Sequence, residues 1–222
     1  MECDGIGSIP ASTLYFGAVV QLVRISACHA EGRGFESRPH RMNDLCQRIE
    51  HYDNFSVVRN VLSLDQIEML MTYWNSVEIG HHNTKNIWDV NSNKKTKIET
   101  SNRNVEIIGI PKHRFYFLTE ILSDLFYCVV GDNILEGPHY FTHYPVGGKH
   151  SPHFDYIKTF QRDKVVSLVL NDDYQGGELE INGEIVPNES NIAIIYDGSL
   201  KHQVKSVTFG SRFVITECAT KI

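Results

Sequence analysis

The sequence predicts a mainly β fold with flanking helices, a double-stranded β-helix or jelly roll buttressed by α-helices on its N-terminal side. Three observations predict it. From about 138 to 218 the chain is a series of short alternating or β-branched runs separated by Gly, Asn, Asp and Pro, the texture of an all-β sandwich or barrel. Two stretches of helical periodicity precede that series. The length, 222 residues with 41% hydrophobic, supports one core and is thin for two. There is no internal repeat and no low-complexity tract.

The elements follow in order. Phe55-Ser56-Val57-Val58-Arg59-Asn60-Val61-Leu62 is rich in β-branched residues and predicts a short strand. Ser63 and Gln66 form an S-x-x-Q capping box ahead of Ile67, Leu70, Met71 and Trp74, whose spacing marks one face of a helix ending near Asn75. Ile79 to Asn104 carries Asn, Lys, Thr and His without periodicity, so it reads as a loop-rich segment able to act as a lid. A second helix is predicted over Lys112 to Val130, stopped by Gly131, with Phe115, Leu118, Ile121, Leu122 and Leu125 at helical spacing. Phe115, Phe117 and Phe126 read as core rather than as a cofactor box. The strand runs are Tyr140 to Tyr144, His153 to Ile157, Val165 to Leu170, Glu178 to Ile181, Asn191 to Tyr196, His202 to Val207 and Arg212 to Glu217.

Composition narrows the function classes. With a net charge of -6, nothing in the bulk electrostatics recruits a polyanion, which disfavours a dedicated nucleic-acid binder. Five cysteines, Cys3, Cys28, Cys46, Cys128 and Cys218, are odd in number and include no CxxC pair; reduced thiols in a cytoplasmic setting are expected. No apolar run reaches the roughly 18 residues that span a bilayer. The nearest candidate, Ser12 to Ala27, is interrupted by Gln21 and Arg24 and follows acidic Glu2 and Asp4, the wrong charge for a secretory signal.

The first 41 residues resemble the conceptual translation of a transfer-RNA gene. Gln21-Leu22-Val23-Arg24 can be written CAG-TTG-GTT-AGA, like a D-arm, and Gly34-Phe35-Glu36-Ser37 as GGN-TTC-GAG-TCC, like a T-arm. The 14 codons from Gln21 to Phe35 match the spacing of those arms. Residues 1–41 are therefore expected to be a spurious extension, with a disordered or regulatory arm as the alternative. Translation starting at Met42 would leave a single domain, 42–222, still at -6, since the removed part holds four basic and four acidic side chains.

Chemistry concentrates in His150-Ser151-Pro152-His153-Phe154-Asp155. On a strand, His153 and Asp155 are two apart and point to the same face. One more imidazole would complete a two-His, one-carboxylate set that binds iron(II) on one side and leaves positions open. His202, 47 residues beyond Asp155, is the candidate. An H-x-D pair alone usually means a solvated loop. Here it is followed by Asn171-Asp172-Asp173-Tyr174-Gln175-Gly176-Gly177-Glu178-Leu179, then by Tyr196-Asp197-Gly198-Ser199-Leu200-Lys201-His202, and by Arg212 ten positions later. The two glycines fit a tight turn. His81, His82, His139, His143 and His150 are not taken as ligands; His150, three before His153, would face the other way on a strand.

From Phe55 to Cys218, and most strongly from Tyr144 onward, the sequence resembles the prolyl 4-hydroxylase-like branch of the 2-oxoglutarate- and iron-dependent dioxygenase superfamily, in which an H-x-D motif, an L-N-x-x-Y-x-G-G-E-L turn, a distal His and a basic residue occur in this order. The resemblance implies that His153, Asp155 and His202 hold Fe(II), that Arg212 clamps the distal carboxylate of 2-oxoglutarate with its planar fork, and that Tyr144 lines the cosubstrate pocket. No catalytic side chain beyond the metal ligands is implied. Some relatives carry a second tyrosine on the third strand, where this chain reads Ser167-Leu168-Val169-Leu170, so a second anchor for 2-oxoglutarate is unassigned.

The resemblance further implies an oxidoreductase that uses O2, with ascorbate as an optional reductant, to hydroxylate a C–H bond while 2-oxoglutarate becomes succinate and carbon dioxide. A prolyl residue of a peptide or protein is the leading substrate. A free amino acid or other small metabolite, and a non-catalytic metal-binding jelly-roll module, are the alternatives. No membrane or nucleic-acid partner is expected.

Overall fold

The structure is a computed structural model, and it describes residues 38–83, 94–156 and 162–221. The stretch resembling a translated transfer-RNA gene, within 1–37, lies outside the described residues, as does 84–93, the middle of the expected lid. The chain divides into two units, Met1–Arg41 and Met42–Ile222; the site lies in the second.

Helix α1 (Arg38–Gln47) is followed by β1 (Glu50–His51), β2 (Phe55–Arg59), α2 (Leu64–Ser76), β3 (Ile79–Asn83), β4 (Lys95–Glu99), β5 (Arg103–Ile110) and α3 (Tyr116–Val130). The β-rich half then runs β6 (Asn133–Tyr144), β7 (Lys149–His153), β8 (Lys164–Val169), β9 (Gln175–Gly176), β10 (Leu179–Ile181), β11 (Glu184–Ile185), β12 (Ile192–Asp197), β13 (His202–Val204), β14 (Val207–Phe209) and β15 (Arg212–Lys221). One large sheet takes the order β1-β2-β12-β8-β15-β6-β5-β7-β13-β10-β11, with β3 and β4 attached beside β5, and β9 pairs with β14 separately. The sheet is antiparallel apart from β3 and β4. It curls into the predicted jelly roll.

Strand alternation sorts the side chains into two cores. On β8, Val166 and Leu168 pack with the helices while Val165 and Val169 pack inside the roll. On β12, Ala193 and Ile195 face the helices, and Ile192, Ile194 and Tyr196 face inward. On β15, Ile215 and Ala219 separate in the same way from Val214 and Cys218. Trp74 of α2 and Leu118, Leu122 and Phe126 of α3 complete the outer core against Phe141. Because the inner face of β15 carries the even-numbered residues, Arg212 projects into the roll.

Helix α2 forms where its capping box predicts. The Ser63 side chain accepts from the Gln66 amide at 3.2 Å, and the Gln66 side chain accepts from the Ser63 amide at 2.9 Å. Helix α3 ends at Gly131, whose φ is +78°, a conformation that glycine adopts without strain. It begins four residues later than predicted, at Tyr116 instead of Lys112. The residues between are tied into a turn: Arg114 N donates to Pro111 O at 2.9 Å, and the Lys112 carbonyl accepts from the Thr119 hydroxyl at 2.8 Å.

Three further expectations are corrected. Ile79 to Asn104 is not loop-rich throughout, since β3, β4 and the start of β5 lie in it; β4 buries Lys95, Thr96 and Ile98 along the sheet edge. Strand β6 starts at Asn133, not Tyr140, because Gly137 and Pro138 are absorbed where the register with β15 shifts between Thr216 and Cys218. The thiols are not all reduced. Cys46 and Cys128 form a disulfide between α1 and α3, with Cα atoms 5.1 Å apart, and Cys218 is a buried thiol outside it.

Candidate metal centre

Strands β7 and β13 pair so that His153 lies opposite His202. Both rings are fixed in the same manner. His153 Nδ1 meets the Ser151 carbonyl at 2.8 Å and His202 Nδ1 meets the Leu200 carbonyl at 2.9 Å. A carbonyl can only accept, so each Nδ1 carries the proton and each Nε2 is left with its lone pair, the tautomer that a metal requires.

Asp155 supplies the carboxylate from an unexpected place. It lies beyond the end of β7, in a bend rather than on a strand, so alternation does not explain its direction. Its backbone is pinned instead: the Asp155 and Tyr156 amides both donate to the Gly198 carbonyl, at 3.0 and 2.9 Å. Gly198 has no room for a side chain, since an added Cβ would lie 2.3 Å from the Arg162 carbonyl. The turn before His202 thereby fixes the turn after His153.

The residues present fit a divalent metal. One donor atom from each of His153, Asp155 and His202 lies within 4.8 Å of the others. His202 Nε2 is 3.2 Å from one Asp155 oxygen, and His153 Nε2 is 3.8 Å from the other. Ligands about 2.1 Å from a shared ion on adjacent octahedral positions stand roughly 3 Å apart, so small adjustments close the set around one ion.

The electrostatics agree with ligation. Burial pushes the His153 imidazole down to about 4, with His202 adding to the effect, so the ring is neutral near pH 7 as ligation demands. For Asp155, burial acts to raise the carboxyl, but the neighbouring His202 and His153 rings and the Arg162 guanidinium outweigh it and hold the group below its usual range. Tyr196, stacked edge-on to His202 at 4.9 Å, is kept protonated by burial.

The triad shares one cavity with Arg212 and Tyr144. Arg212 is 2% exposed, and its guanidinium lies 5.3 Å from the centre of the Tyr144 ring, directly across the β15–β6 register. Nε donates to the Tyr174 hydroxyl at 3.2 Å, and that hydroxyl donates to the Asn188 side chain. This relay orients the fork and leaves the terminal nitrogens for an anion.

The histidines divide unlike the sequence expectation in one respect. His139 and His143 lie on the outer parity of β6; His139 bonds Glu217 and Thr119, and His143 bonds Glu106 and Ser211. The side chains of His81 and His82 fall outside the described residues. His150, expected to face away, lies with its ring centre 3.6 Å from that of His153 and lines the cavity. The reason is a bulge: His153 pairs with His202 and His150 with Val204, so three steps on β7 oppose two on β13, which brings residues three apart to one side. Arg103, Tyr174 and Tyr196 were not foreseen either. Tyr174, inside the L-N-x-x-Y-x-G-G-E-L turn, and Tyr196, at the head of the run to His202, each have a motif nearby; Arg103 has none.

Residues 139–218 match the family model described as the 2OG-Fe(II) oxygenase superfamily. Among curated proteins none matches the sequence. A prolyl-4-hydroxylase of Pseudomonas putida superposes with a TM-score of 0.58 at 16% identity, covering 84% of this chain and 100% of that one. A Trichoplax adhaerens prolyl hydroxylase, solved with a hypoxia inducible factor oxygen degradation domain peptide fragment, gives 0.57 at 18% identity over 83% of this chain and 89% of that one. The non-heme alpha ketoglutarate dependent epimerase of nogalamycin biosynthesis gives 0.58 at 9% identity, covering 82% and 83%. At such identities these likenesses speak for the fold. The segment 139–218 thus carries the pattern of the 2OG-Fe(II) oxygenase superfamily, and the fold of the chain is of the prolyl 4-hydroxylase-like kind.

Proposed function

We propose that the chain is an iron(II)- and 2-oxoglutarate-dependent dioxygenase that hydroxylates a prolyl residue of a peptide or protein. The observation that carries the reading is the convergence of His153, Asp155 and His202 in the cavity that also receives the Arg212 guanidinium. When bound, iron(II) with 2-oxoglutarate and O2 supplies the oxidising chemistry: one oxygen atom goes to the substrate C–H bond and the other to succinate, with loss of carbon dioxide.

The chain's own residues bind and orient. His153 and His202 present their Nε2 lone pairs; Asp155 adds one negative charge, with one oxygen 3.2 Å from His202 Nε2. Arg212 takes the far carboxylate of 2-oxoglutarate, with Tyr174 holding the fork in plane and Tyr144 covering it. Phe154 and Tyr156, 57% and 40% exposed on either side of Asp155, give the rim an apolar surface suited to an extended peptide. The likeness in fold to prolyl hydroxylases, one of them solved with a peptide, supports the substrate class.

The test is succinate release from 2-oxoglutarate with iron(II), O2 and prolyl peptides, together with the mass of the peptide. Turnover with a gain of one oxygen, lost in His153→Ala and Asp155→Ala, is expected. Wild-type rates in either variant would refute the assignment.

A further inference from the structure

Three guanidinium groups line the cavity, those of Arg103, Arg162 and Arg212, against a single carboxylate, Asp155. Under the proposed function, iron(II) brings two positive charges and 2-oxoglutarate two negative ones, so the cosubstrate does not remove the arginine excess. The chain as a whole carries -6. A cationic wall in an acidic protein is a local feature of the site.

Of the two guanidinium groups that the metal and cosubstrate leave without a task, Arg103 and Arg162, Arg103 is the one set on a strand beside the histidines. It opens β5 and pairs in register with His150 of β7, which places it beside the histidine cluster. Its side chain is partly buried, and its Nε is fully buried with no hydrogen-bond partner among the described residues. A buried donor on a cation is costly to leave unsatisfied, and a ligand acceptor would satisfy it. Arg212 contrasts with it: its Nε is already engaged by Tyr174.

We infer that Arg103 is a specificity-determining residue that receives a carboxylate of the substrate close to the C–H bond to be hydroxylated. The inference rests on the dioxygenase reading and adds the charge of the substrate to it. A planar fork with a free Nε suits a two-point grip on a carboxylate. Two sources offer that group: an Asp or Glu side chain next to the target prolyl residue, or the α-carboxylate of a terminal or free proline.

The test uses the full chain and matched pairs of substrates. One pair places Asp or Asn beside an internal proline; another ends in a prolyl acid or its amide; free proline is run alongside. For the pair that contains the true source, the acidic member is expected to exceed its neutral twin in kcat/KM by about tenfold or more. Arg103→Gln should bring the two members within about twofold while moving the KM for 2-oxoglutarate by less than about twofold. Calorimetric titration of the same pairs into protein held with manganese(II) and 2-oxoglutarate under argon reads the preference without turnover.

Equal binding, or none, by both members of every pair would overturn the inference, and this arm needs no variant. So would an Arg103→Gln protein that keeps the preference but loses affinity for 2-oxoglutarate, since Arg103 would then serve the cosubstrate. Absence of succinate from every reaction would sink the dioxygenase reading alone; the calorimetric preference still decides the role of Arg103.

Discussion

His153 and His202 face each other across the β7–β13 pair, and each bonds through Nδ1 to the carbonyl two residues before it, Ser151 and Leu200. This shared anchoring aims both Nε2 atoms at Asp155. His150 has no such role although its ring lies against His153. His153→Ala and His202→Ala should each lose bound metal, whereas His150→Ala should keep one metal per chain, as measured by elemental analysis after dialysis. Equal loss in all three would make His150 a ligand.

Arg212 depends on its neighbours for aim. Arg212→Met should raise the KM for 2-oxoglutarate roughly 100-fold, as expected for losing two charge-assisted hydrogen bonds. Tyr174→Phe removes only the acceptor for Nε and should raise it by about three- to tenfold. Gly177→Ala is expected to fall between them. Its φ is +67°, and an added Cβ would come within 2.8 Å of Val207 Cγ2 and 3.3 Å of Arg212 Cδ. Steady-state kinetics with 2-oxoglutarate varied decide the order.

Glu106 and His143 are joined at 3.0 Å with side chains 19% and 15% exposed. The His143 hydrogen bond holds the Glu106 carboxyl below its usual range, against the opposing effect of burial. A carboxyl lowered in the folded state binds fewer protons there than in the unfolded chain, so its contribution is present above the unfolded value, about 4.3, and is lost as pH falls through the folded one. Glu106→Gln should therefore cost about 1–2 kcal/mol at pH 7 and less at pH 4. Denaturant midpoints at the two pH values measure the difference.

The Cys46–Cys128 bridge closes a loop of 82 residues between α1 and α3. A bridge over a loop of that size contributes about 2–4 kcal/mol. Cys46→Ser should lower the melting temperature without reductant and match the wild type when reductant is present. Indifference of the wild type to reductant would mean that the bridge adds nothing.

The sequence made the site legible where its signals are local. The Ser63–Gln66 capping box, the Gly131 stop and the alternation along β8, β12 and β15 are each written within a few residues, and the structure follows them. Spacing points to His153, Asp155 and His202, and they converge, but strand alternation explains this only in part: His153 ends its strand and Asp155 is aimed by the Gly198 carbonyl. His150 was misplaced because a bulge depends on the partner strand, which a single run does not encode. Arg103 stayed hidden for the same reason. Its place in the site comes from pairing with a strand 47 positions later. The disulfide also joins distant positions, and a count of cysteines carries no connectivity.

The central claim is that His153, Asp155 and His202 form one iron site. Anaerobic calorimetric titration of iron(II) into the protein tests it most directly, with Asp155→Ala alongside. One iron per wild-type chain is expected, with affinity reduced more than about 100-fold in Asp155→Ala, since loss of a ligand should exceed the roughly 10–100-fold cost of losing a supporting group. Iron bound equally well by the two proteins would contradict it.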